Sequence, residues 1–375
     1  MYKALIVPKA DFTFWNIFRG ELNTLHKRLK HYATFTNPSY ESLYYQKLNM
    51  ISKELQFNTL GPVHPVYYRK TPLKNASNPS GFGVEHMGAE LTLRSCENIV
   101  KKYDVLIISR STLPHSSKYL RVAKKLDKCV IVIDFEEDAN FYNDDYAPLN
   151  GLKYKDDFDL YFKNHLRSGR ASDFIMPMAP TPVNISMYDT STTKDILDRD
   201  YSFFFSGILD KDVTYQNRVN LLKSLKEEKG SYIQIISTKN HYQHKLDSIA
   251  DLHNVMRNSQ FVACPAGRAW QTIRHTTSGI FQCVPVLPYP DIETVNFEPN
   301  NMVNGIYYPM LFGKPEHERA TLVDNLMKEL DLIKKDNKLL SNIANNWSKQ
   351  VRHNHTTHKR AEYIVNLILR VLRGS

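Results

Sequence analysis

Short, uniformly apolar runs alternate along the first half of the chain with longer stretches whose apolar residues recur at helical spacing. The apolar runs predict strands at residues 2–7, 104–109, 129–134 and 159–163. The helical spacing predicts helices at residues 14–30, 90–102 and 117–127. Strands that are apolar on both faces and alternate with helices are typical of a parallel sheet that helices cover on both sides.

A second series of the same kind follows residues 176–196, which are rich in Pro, Ser and Thr and are typical of a linker between domains. It predicts strands at residues 201–206, 232–236, 261–264 and 284–288. It predicts helices at residues 217–226, 269–281, 319–349 and 357–373. We therefore expect an α/β protein with two parallel-sheet domains, residues 1–190 and 197–350. A final helix in residues 351–375 is expected to pack back on the first domain.

The composition is that of a globular protein and excludes several other classes. The 375 residues contain no run of 18 apolar residues, which argues against a membrane-spanning helix. The apolar run at the N-terminus is too short for the core of a signal peptide. The cysteines are scattered and predict reduced thiols, with neither a disulfide framework nor a zinc site: Cys96, Cys129, Cys264 and Cys283. These features predict a cytoplasmic protein without a transmembrane segment.

Positive charge is concentrated towards the N-terminus. The net charge is +10, and residues 1–75 hold eleven Lys and Arg against four Asp and Glu, together with seven tyrosines. Such a surface favours a polyanion, for example nucleic acid, an acidic glycan or an anionic membrane. A solvated basic surface without a specific partner explains the same charge equally well, so the composition leaves the partner open.

The residues that point most directly to chemistry lie in 256–290, where a predicted strand, a turn with Gly267 and a predicted helix follow one another. The backbone N–H groups and the positive dipole end of such a helix suit a diphosphate. Arg268 and Arg274 add fork-shaped donors that match phosphate oxygens. Ligands of open α/β sheets bind at this end of the strands. The chain has no G-x-G-x-x-G turn, which argues against a nicotinamide-dependent enzyme.

This segment resembles one in the C-terminal domain of GT-B glycosyltransferases, which include exostosin-like and phage DNA-glucosylating enzymes. The family pattern is S-x-F-x-x-x-P-x-G followed by R-x-x-E-x-x-x-x-G-x-x-P-V. This chain matches it at Ser259, Phe261, Pro265, Gly267, Arg274, Pro285 and Val286. The resemblance implies two Rossmann-like domains facing across a cleft, with Arg274 on the donor diphosphate. Thr277 stands where the family's glutamate binds the ribose, and Gln282 stands where the family has glycine.

A second match lies at the start of the same predicted domain, where the sequence FFFSG ends a strand. It resembles the family's strand, glycine loop and following helix with an arginine, here Ser206, Gly207 and Arg218. Close approach of the backbone at Gly207 would let the loop lie under the donor phosphates. The resemblance thus predicts a donor site formed by these three residues with Pro265, Gly267, Arg268, Arg274 and Thr277.

A catalytic carboxylate is expected in the first domain, because an inverting transfer needs a base that deprotonates the acceptor hydroxyl. Asp134 ends the predicted strand CVIVID, and related enzymes show a similar I-D-x-E-D pattern followed by D-x-Y-F-K. The catalytic aspartate of the phage DNA glucosyltransferases ends such a strand, which makes Asp134 the first candidate. Asp11 and Glu85 are the alternates. The family usually neutralises the leaving diphosphate with helix dipoles and basic side chains, so the resemblance implies that no metal is required.

The sequence therefore predicts an inverting glycosyltransferase, hexosyl or pentosyl, with a nucleotide-sugar donor that is expected to be a UDP-sugar. The acceptor is a hydroxymethylated pyrimidine in DNA or a surface glycan, and the basic N-terminal segment suits the two about equally. The departures at Thr277 and Gln282 leave open a nucleotide-sugar or glycan-binding module without catalysis. A sugar-nucleotide epimerase is a further alternative.

Overall fold

The structure is a computed structural model that describes residues 1–7, 47–59, 83–84, 93–109, 113–134, 158–208, 213–236, 249–267, 270 and 272–374. The chain divides into two compact units, one of Met1–Ala179 with Thr357–Ser375 and one of Pro180–Thr356. The first boundary lies inside the predicted linker. The expected boundaries were at residues 190 and 350.

The first unit is built on a parallel sheet. Its described strands are β1 (Tyr2–Val7), β2 (Leu55–Thr59), β3 (Gly83–Val84), β4 (Val105–Ser109), β5 (Cys129–Asp134), β6 (Leu160–Lys163) and β7 (Ile175–Pro177). They lie in the order β3-β2-β1-β4-β5-β6-β7, so the chain changes direction across the sheet between β1 and β4. The helices described before the linker are α1 (Leu48–Ile51), α2 (Leu93–Val100) and α3 (Leu113–Lys125).

Both faces of this sheet are buried, as its uniformly apolar strands require. Successive residues of a strand point to opposite faces, and in β1 this places Ala4 and Ile6 in one core and Leu5 in the other. The core around Leu5 includes apolar side chains of α2 and α3. Hydrophobic burial on both sides therefore fixes this sheet between two layers.

The second unit repeats the pattern on a smaller scale. Its described strands are β8 (Tyr201–Ile208), β9 (Tyr232–Ile236), β10 (Ser259–Ala263), β11 (Val284–Pro288) and β12 (Ile306–Tyr308). They run parallel in the order β12-β11-β10-β8-β9. The helices are α4 (Val213–Glu227), α5 (Ile249–Arg257), α6 (Ile273–Ile280), α7 (Glu316–Lys335) and α8 (Asn337–Asn354). Phe203, Phe205 and Phe261 fill the core that this sheet shares with α4, α7 and α8.

The last helix, α9 (Thr357–Leu372), belongs to the first unit. It buries Ile364, Val365 and Ile368 in the core that contains Ala4 and Ile6. Together with Ala361 and Leu369 they follow the i, i+3, i+4, i+7, i+8 pattern that gives a helix one apolar face. That face covers one side of the first sheet.

The predicted α/β fold class is confirmed, with two parallel sheets and helices between their strands. The prediction of one helix over residues 319–349 is wrong, because the segment forms α7 and α8. Asp336 separates them, since its side chain accepts a hydrogen bond from the backbone N–H of Leu339 at 2.9 Å and so begins a new helix. The predicted helix at 14–30 lies outside the described residues.

The end of α6 explains why glycine suits the position of Gln282. Gln282 has φ of 54°, in the left-handed region that strains a residue with a β-carbon. The N–H of Gln282 donates to the oxygen of Gly279 at 3.3 Å, and the N–H of Cys283 donates to that of Ser278 at 2.9 Å. This pair of bonds is the Schellman turn that commonly ends helices, usually with glycine at the left-handed position. Gln282 therefore holds a backbone conformation that a glycine would adopt without strain.

Replacing Gln282 with glycine is expected to stabilise the protein. Relief of the left-handed strain should raise the free energy of unfolding by about 1 kcal/mol, after allowance for the greater freedom of an unfolded glycine. Denaturant unfolding of the wild type and Gln282→Gly measures the change. Gln282→Ala removes the same side chain but keeps the strain, so it should show no gain; equal stabilisation by alanine would contradict this explanation.

Candidate functional site

The strand order of the second sheet creates a topological switch point between β8 and β10. From β8 the chain proceeds to β9 on one side and then crosses to β10 on the other. In open parallel sheets, ligands bind at the carboxyl ends of the strands at such a point. Ser206 and Gly207 lie at this end of β8, and residues 264–267 follow the paired strand β10. The two matching motifs of the sequence therefore lie at one edge of one sheet.

The side chain of Arg274 lies across the end of β8. Its Nη1 donates a hydrogen bond to the backbone oxygen of Ser206 at 3.1 Å, and its guanidinium carbon lies 4.8 Å from the centre of the Phe205 ring. A β-carbon at Gly207 would come within 3.3 Å of both Nη atoms. That separation is tighter than ordinary van der Waals contact, so the absence of a side chain at Gly207 lets the guanidinium approach the strand.

Arg274 also belongs to the first turn of α6, which begins at Ile273. The N-cap residue, Thr272, makes no side-chain capping bond. The first N–H groups of a helix have no intrahelical acceptor, and the helix dipole adds positive partial charge at this end. An anion beside Arg274 would therefore meet a guanidinium and a helix N-terminus together.

Two buried side chains hold the loop between β10 and α6, which carries Gly267. Arg218, on α4, donates from Nε to the backbone oxygen of Ala266 at 3.2 Å. Trp270 donates from Nε1 to the backbone oxygen of Pro288, the last residue of β11, at 2.7 Å. The structure thus places Arg218 beside Gly267 in a contact that holds the loop. Its predicted contact with a donor stays a prediction.

Two further predicted donor residues are buried at the same edge. The hydroxyl of Ser206 donates to Oε1 of Gln234 at 3.0 Å. Pro265 follows β10 and is buried. These contacts fix the ends of the two strands, and direct roles in donor binding stay predictions for both residues.

Thr277 points into the interior of the unit. It is only 3% exposed, and its hydroxyl oxygen shares a hydrogen bond of 3.4 Å with the hydroxyl of Tyr188. Tyr188 packs against His253 and Phe281, with ring centres 4.9 and 5.7 Å away. Burial raises the pKa of Tyr188, and the hydrogen bond to Thr277 partly opposes that rise. In this arrangement Thr277 bonds to the protein, and its predicted ribose contact stays a prediction.

An aromatic cluster that the sequence analysis missed supports α6. The ring of His275 stacks on Trp347 of α8 with 4.4 Å between centres, and Trp270 and Phe297 lie edge-on at 5.4 and 5.3 Å. Nε1 of Trp347 donates to the backbone oxygen of His275 at 3.1 Å and to the hydroxyl of Ser278 at 2.9 Å. Burial lowers the pKa of His275 to about 3, so its imidazole is neutral near pH 7. These residues come from distant parts of the chain, and no local pattern predicts the cluster.

In the first unit, Asp134 lies in a buried polar cluster at the carboxyl ends of β5 and β6. Its Oδ2 accepts a hydrogen bond from the hydroxyl of Tyr161 at 2.7 Å and lies 3.2 Å from Nζ of Lys163. The side chains of Asp134 and Lys163 both have zero exposure. Burial and the charge of Lys163 lower the pKa of the neighbouring His165 to about 3. Because the Asp134 side chain has no exposed surface, an acceptor hydroxyl cannot reach it in this arrangement. The role of Asp134 as a base stays a prediction.

The remaining predicted site residues, Asp11, Glu85 and Arg268, lie outside the described residues, and their roles stay predictions. Within the described ranges, no group of three or more His, Cys, Asp or Glu is arranged to hold a metal ion. The four cysteines are free thiols. None of the helices that the structure describes has the length and apolar character needed to cross a bilayer.

Solved structures with similar architecture exist, although the sequences are distant. A glycosyltransferase from Rickettsia africae has a TM-score of 0.59 at 11% identity, over 100% of this chain and 99% of that one. HepE of Anabaena in complex with UDP has a TM-score of 0.58 at 9% identity, over 98% and 100%. HepE in complex with UDP-glucose has a TM-score of 0.57 at 11% identity, over 99% and 100%.

The chain has the GT-B fold. Two Rossmann-like units with parallel sheets are what it shares with these structures. No protein-family model matches the chain, and neither does the sequence of any curated protein. At these identities the likeness shows the fold alone.

Asp134→Asn is expected to destabilise the first unit. The change leaves the buried ammonium group of Lys163 beside a neutral amide, and breaking a buried pair in this way costs about 3–5 kcal/mol. Denaturant unfolding measures the loss. The double variant Asp134→Asn with Lys163→Met removes the ammonium group as well and should recover much of the stability. Wild-type stability in Asp134→Asn would contradict the structural role, and a loss of sugar transfer at that unchanged stability would instead favour a catalytic role.

Proposed function

We propose that the protein is a glycosyltransferase that moves a sugar from a UDP-sugar to an acceptor hydroxyl. The observation that carries this proposal is the position of Arg274, which lies against Gly207 at the switch point of the second sheet and in the first turn of α6. This arrangement suits the two phosphates of a nucleotide-sugar. The GT-B fold supports the proposal, as do the structures of Anabaena HepE with UDP and with UDP-glucose.

In the proposed complex, the donor diphosphate lies between the N-terminus of α6 and the end of β8. Arg274 and Arg268 bind phosphate oxygens through their fork-shaped guanidinium groups. Gly207 and Gly267 allow backbone N–H groups to approach the same oxygens. Arg218 contributes by holding the loop that carries Gly267.

The proposed reaction is an inverting substitution at the anomeric carbon. A base takes the proton from the acceptor hydroxyl, whose oxygen forms the new glycosidic bond. The bond between the anomeric carbon and the diphosphate breaks, and its electron pair leaves with the nucleoside diphosphate. Arg274 and the dipole of α6 stabilise the charge that develops on this leaving group, a role that requires no metal.

Among the three candidate bases, the proposal favours Asp11 and Glu85 over Asp134, which is closed in a buried pair with Lys163. Asp11 follows β1 along the chain, and β1 borders the switch point of the first sheet. Glu85 follows β3 directly. Transfer rates of Asp11→Asn, Glu85→Gln and Asp134→Asn, each corrected for the folded fraction, decide among the three.

The acceptor in this proposal is a hydroxymethylated pyrimidine in DNA, with a surface glycan as the alternative. Residues 1–75 combine a net charge of +7 with seven tyrosines. Lysine and arginine neutralise phosphates, and aromatic rings stack on exposed bases. The base must leave the duplex before its hydroxyl reaches the donor, at a cost of a few kcal/mol.

A nucleotide-sugar-binding module without catalysis is the second candidate. Thr277, buried against Tyr188, supports this candidate because it supplies no carboxylate to a ribose. Gln282 does not support it, because that residue acts on the turn after α6. Release of free UDP from UDP-glucose by the purified protein would argue for the enzyme, and binding without any release would argue for the module.

Arg274→Ala is expected to weaken binding of UDP and UDP-sugars by about 10- to 150-fold. The reason is the loss of a charge-assisted contact worth about 1.5–3 kcal/mol. Arg274→Lys keeps the positive charge but not the two parallel donors of the guanidinium group. Its affinity for UDP should therefore lie between those of the wild type and Arg274→Ala. Calorimetric titration of folded variants measures these affinities. Lys226→Ala, at an exposed position of α4, is the control; unchanged UDP affinity in Arg274→Ala would reject the site.

DNA binding is expected to depend steeply on salt. If Lys27, Arg28, Lys30, Arg69 and Lys70 neutralise five phosphates, affinity for duplex DNA should fall roughly 500-fold between about 50 and 200 mM salt. Fluorescence anisotropy measures the fall, and sugar transfer onto hydroxymethylated duplex tests the reaction.

Charge reversal of Lys27 and Arg28 to glutamate should reduce DNA binding while UDP affinity stays the same. Reversal of Lys226 and Lys229, exposed at the end of α4 and just after it, is the matched control. Salt-insensitive DNA binding, or no transfer to hydroxymethylated DNA from any nucleotide-sugar, would favour the glycan acceptor instead.

A further inference from the structure

Beyond its first turn, α6 has little to offer a ribose. If a diphosphate lies at Arg274, the side chains of α6 that come next along the same face are those three and four residues later. These are Thr277 and Ser278, and both are buried in the second unit, with 3% and 0% exposure. Their hydroxyl groups determine what this helix can give to the sugar of a nucleotide.

Both hydroxyl groups are already bonded within the protein. Thr277 shares its hydrogen bond with Tyr188, whose ring is enclosed by His253 and Phe281. Ser278 donates to the backbone oxygen of His275 at 2.6 Å and accepts from Nε1 of Trp347 at 2.9 Å. A ribose contact here would have to break bonds in a packed interior, where unsatisfied polar groups are costly.

The same stretch of sequence also lacks acidic groups. Residues 264–281 contain no Asp or Glu. A carboxylate is the side chain that accepts hydrogen bonds from two neighbouring hydroxyl groups at once, as the 2′ and 3′ hydroxyls of a ribose would require. Residues 264–281, which would bind the diphosphate, therefore offer charge and shape but no carboxylate to the diol.

We propose that the donor site does not distinguish ribose from 2′-deoxyribose. It would thus accept 2′-deoxyribonucleotide sugars, the class that includes thymidine diphosphate sugars, as well as UDP-sugars. This inference rests on the proposed function, because it concerns the same site. It widens the donor class, because residues 264–281 supply no carboxylate to the ribose hydroxyls.

The expected difference in affinity between ribose and 2′-deoxyribose nucleotides follows from the missing hydrogen bond to the 2′ hydroxyl. A hydrogen bond from a hydroxyl to a charged acceptor changes affinity by about 10- to 150-fold, and a site built around a hydroxyl rejects the analogue that lacks it. Without such an acceptor, UDP and 2′-deoxyuridine diphosphate (dUDP) should bind with dissociation constants that differ by less than about tenfold. These two probes differ only at the 2′ position.

The experiment is calorimetric titration of the full chain with UDP, dUDP and thymidine diphosphate. A UDP-to-dUDP difference below tenfold supports the inference, and a loss of tenfold or more with dUDP overturns it. Absence of binding by all three nucleotides would instead reject the proposed function, so the two failures are distinguishable. With Arg274→Ala, both UDP and dUDP should lose affinity by the same factor.

Tyr188→Phe gives the matched control. It keeps the ring against His253 and Phe281 but removes the hydroxyl that bonds Thr277. The ratio of UDP to dUDP affinity should stay at its wild-type value. If Tyr188→Phe weakened UDP binding and left dUDP binding unchanged, a hydroxyl at this position would be reading the ribose, and the inference would be wrong.

Discussion

The candidate site depends on one close approach, that of the Arg274 guanidinium to the backbone of β8 at Gly207. The hydrogen bond to the oxygen of Ser206 and the packing on Phe205 hold the guanidinium there. A methyl group at Gly207 would come within 3.3 Å of both terminal nitrogens, so even alanine would force a shift. Because Arg274 lies in the first turn of α6, the position of this helix determines whether guanidinium and helix N-terminus act on one anion.

The rest of the second unit fixes α6 from several sides. A β-carbon at Gly279 would come 2.5 Å from Cγ2 of Val351, so glycine allows α6 and α8 to pack closely. At the carboxyl end of α6, Arg352 donates to the oxygen of Ile280 at 2.9 Å and Arg199 to that of Phe281 at 2.8 Å. Cations at this end satisfy the last carbonyl groups and oppose the negative end of the dipole. The helix is thus stabilised at the end remote from the proposed phosphates.

The features that could be predicted from the sequence are those whose signal lies within one short stretch of the chain. The strands VLIIS and CVIVID were predicted because every residue is apolar or ends the run. Strand β2 (LQFNT) was not, because it has only two large apolar residues, Leu55 and Phe57, within a segment rich in turn formers. Arg274 and Gly207, which the structure brings together, were predicted from local motifs that resemble those of the family. The contacts of Tyr188 with Thr277 and of Trp347 with His275 were not, since they join residues more than 70 positions apart.

The first unit buries an ammonium group, that of Lys163, beside a carboxylate, whereas the Arg274 guanidinium of the second unit lies at the end of a strand. Lys163 has no exposure and lies 3.2 Å from Asp134, so this ammonium group is neutralised inside the first unit. Removing two charges from water costs free energy, and breaking the contact between the ammonium group and the carboxylate would leave a buried charge without this partner. Asp134 and Lys163 therefore form a structural pair at the carboxyl ends of β5 and β6. Under the proposed function, this favours Asp11 and Glu85, which follow β1 and β3 in the sequence, over Asp134 as the base.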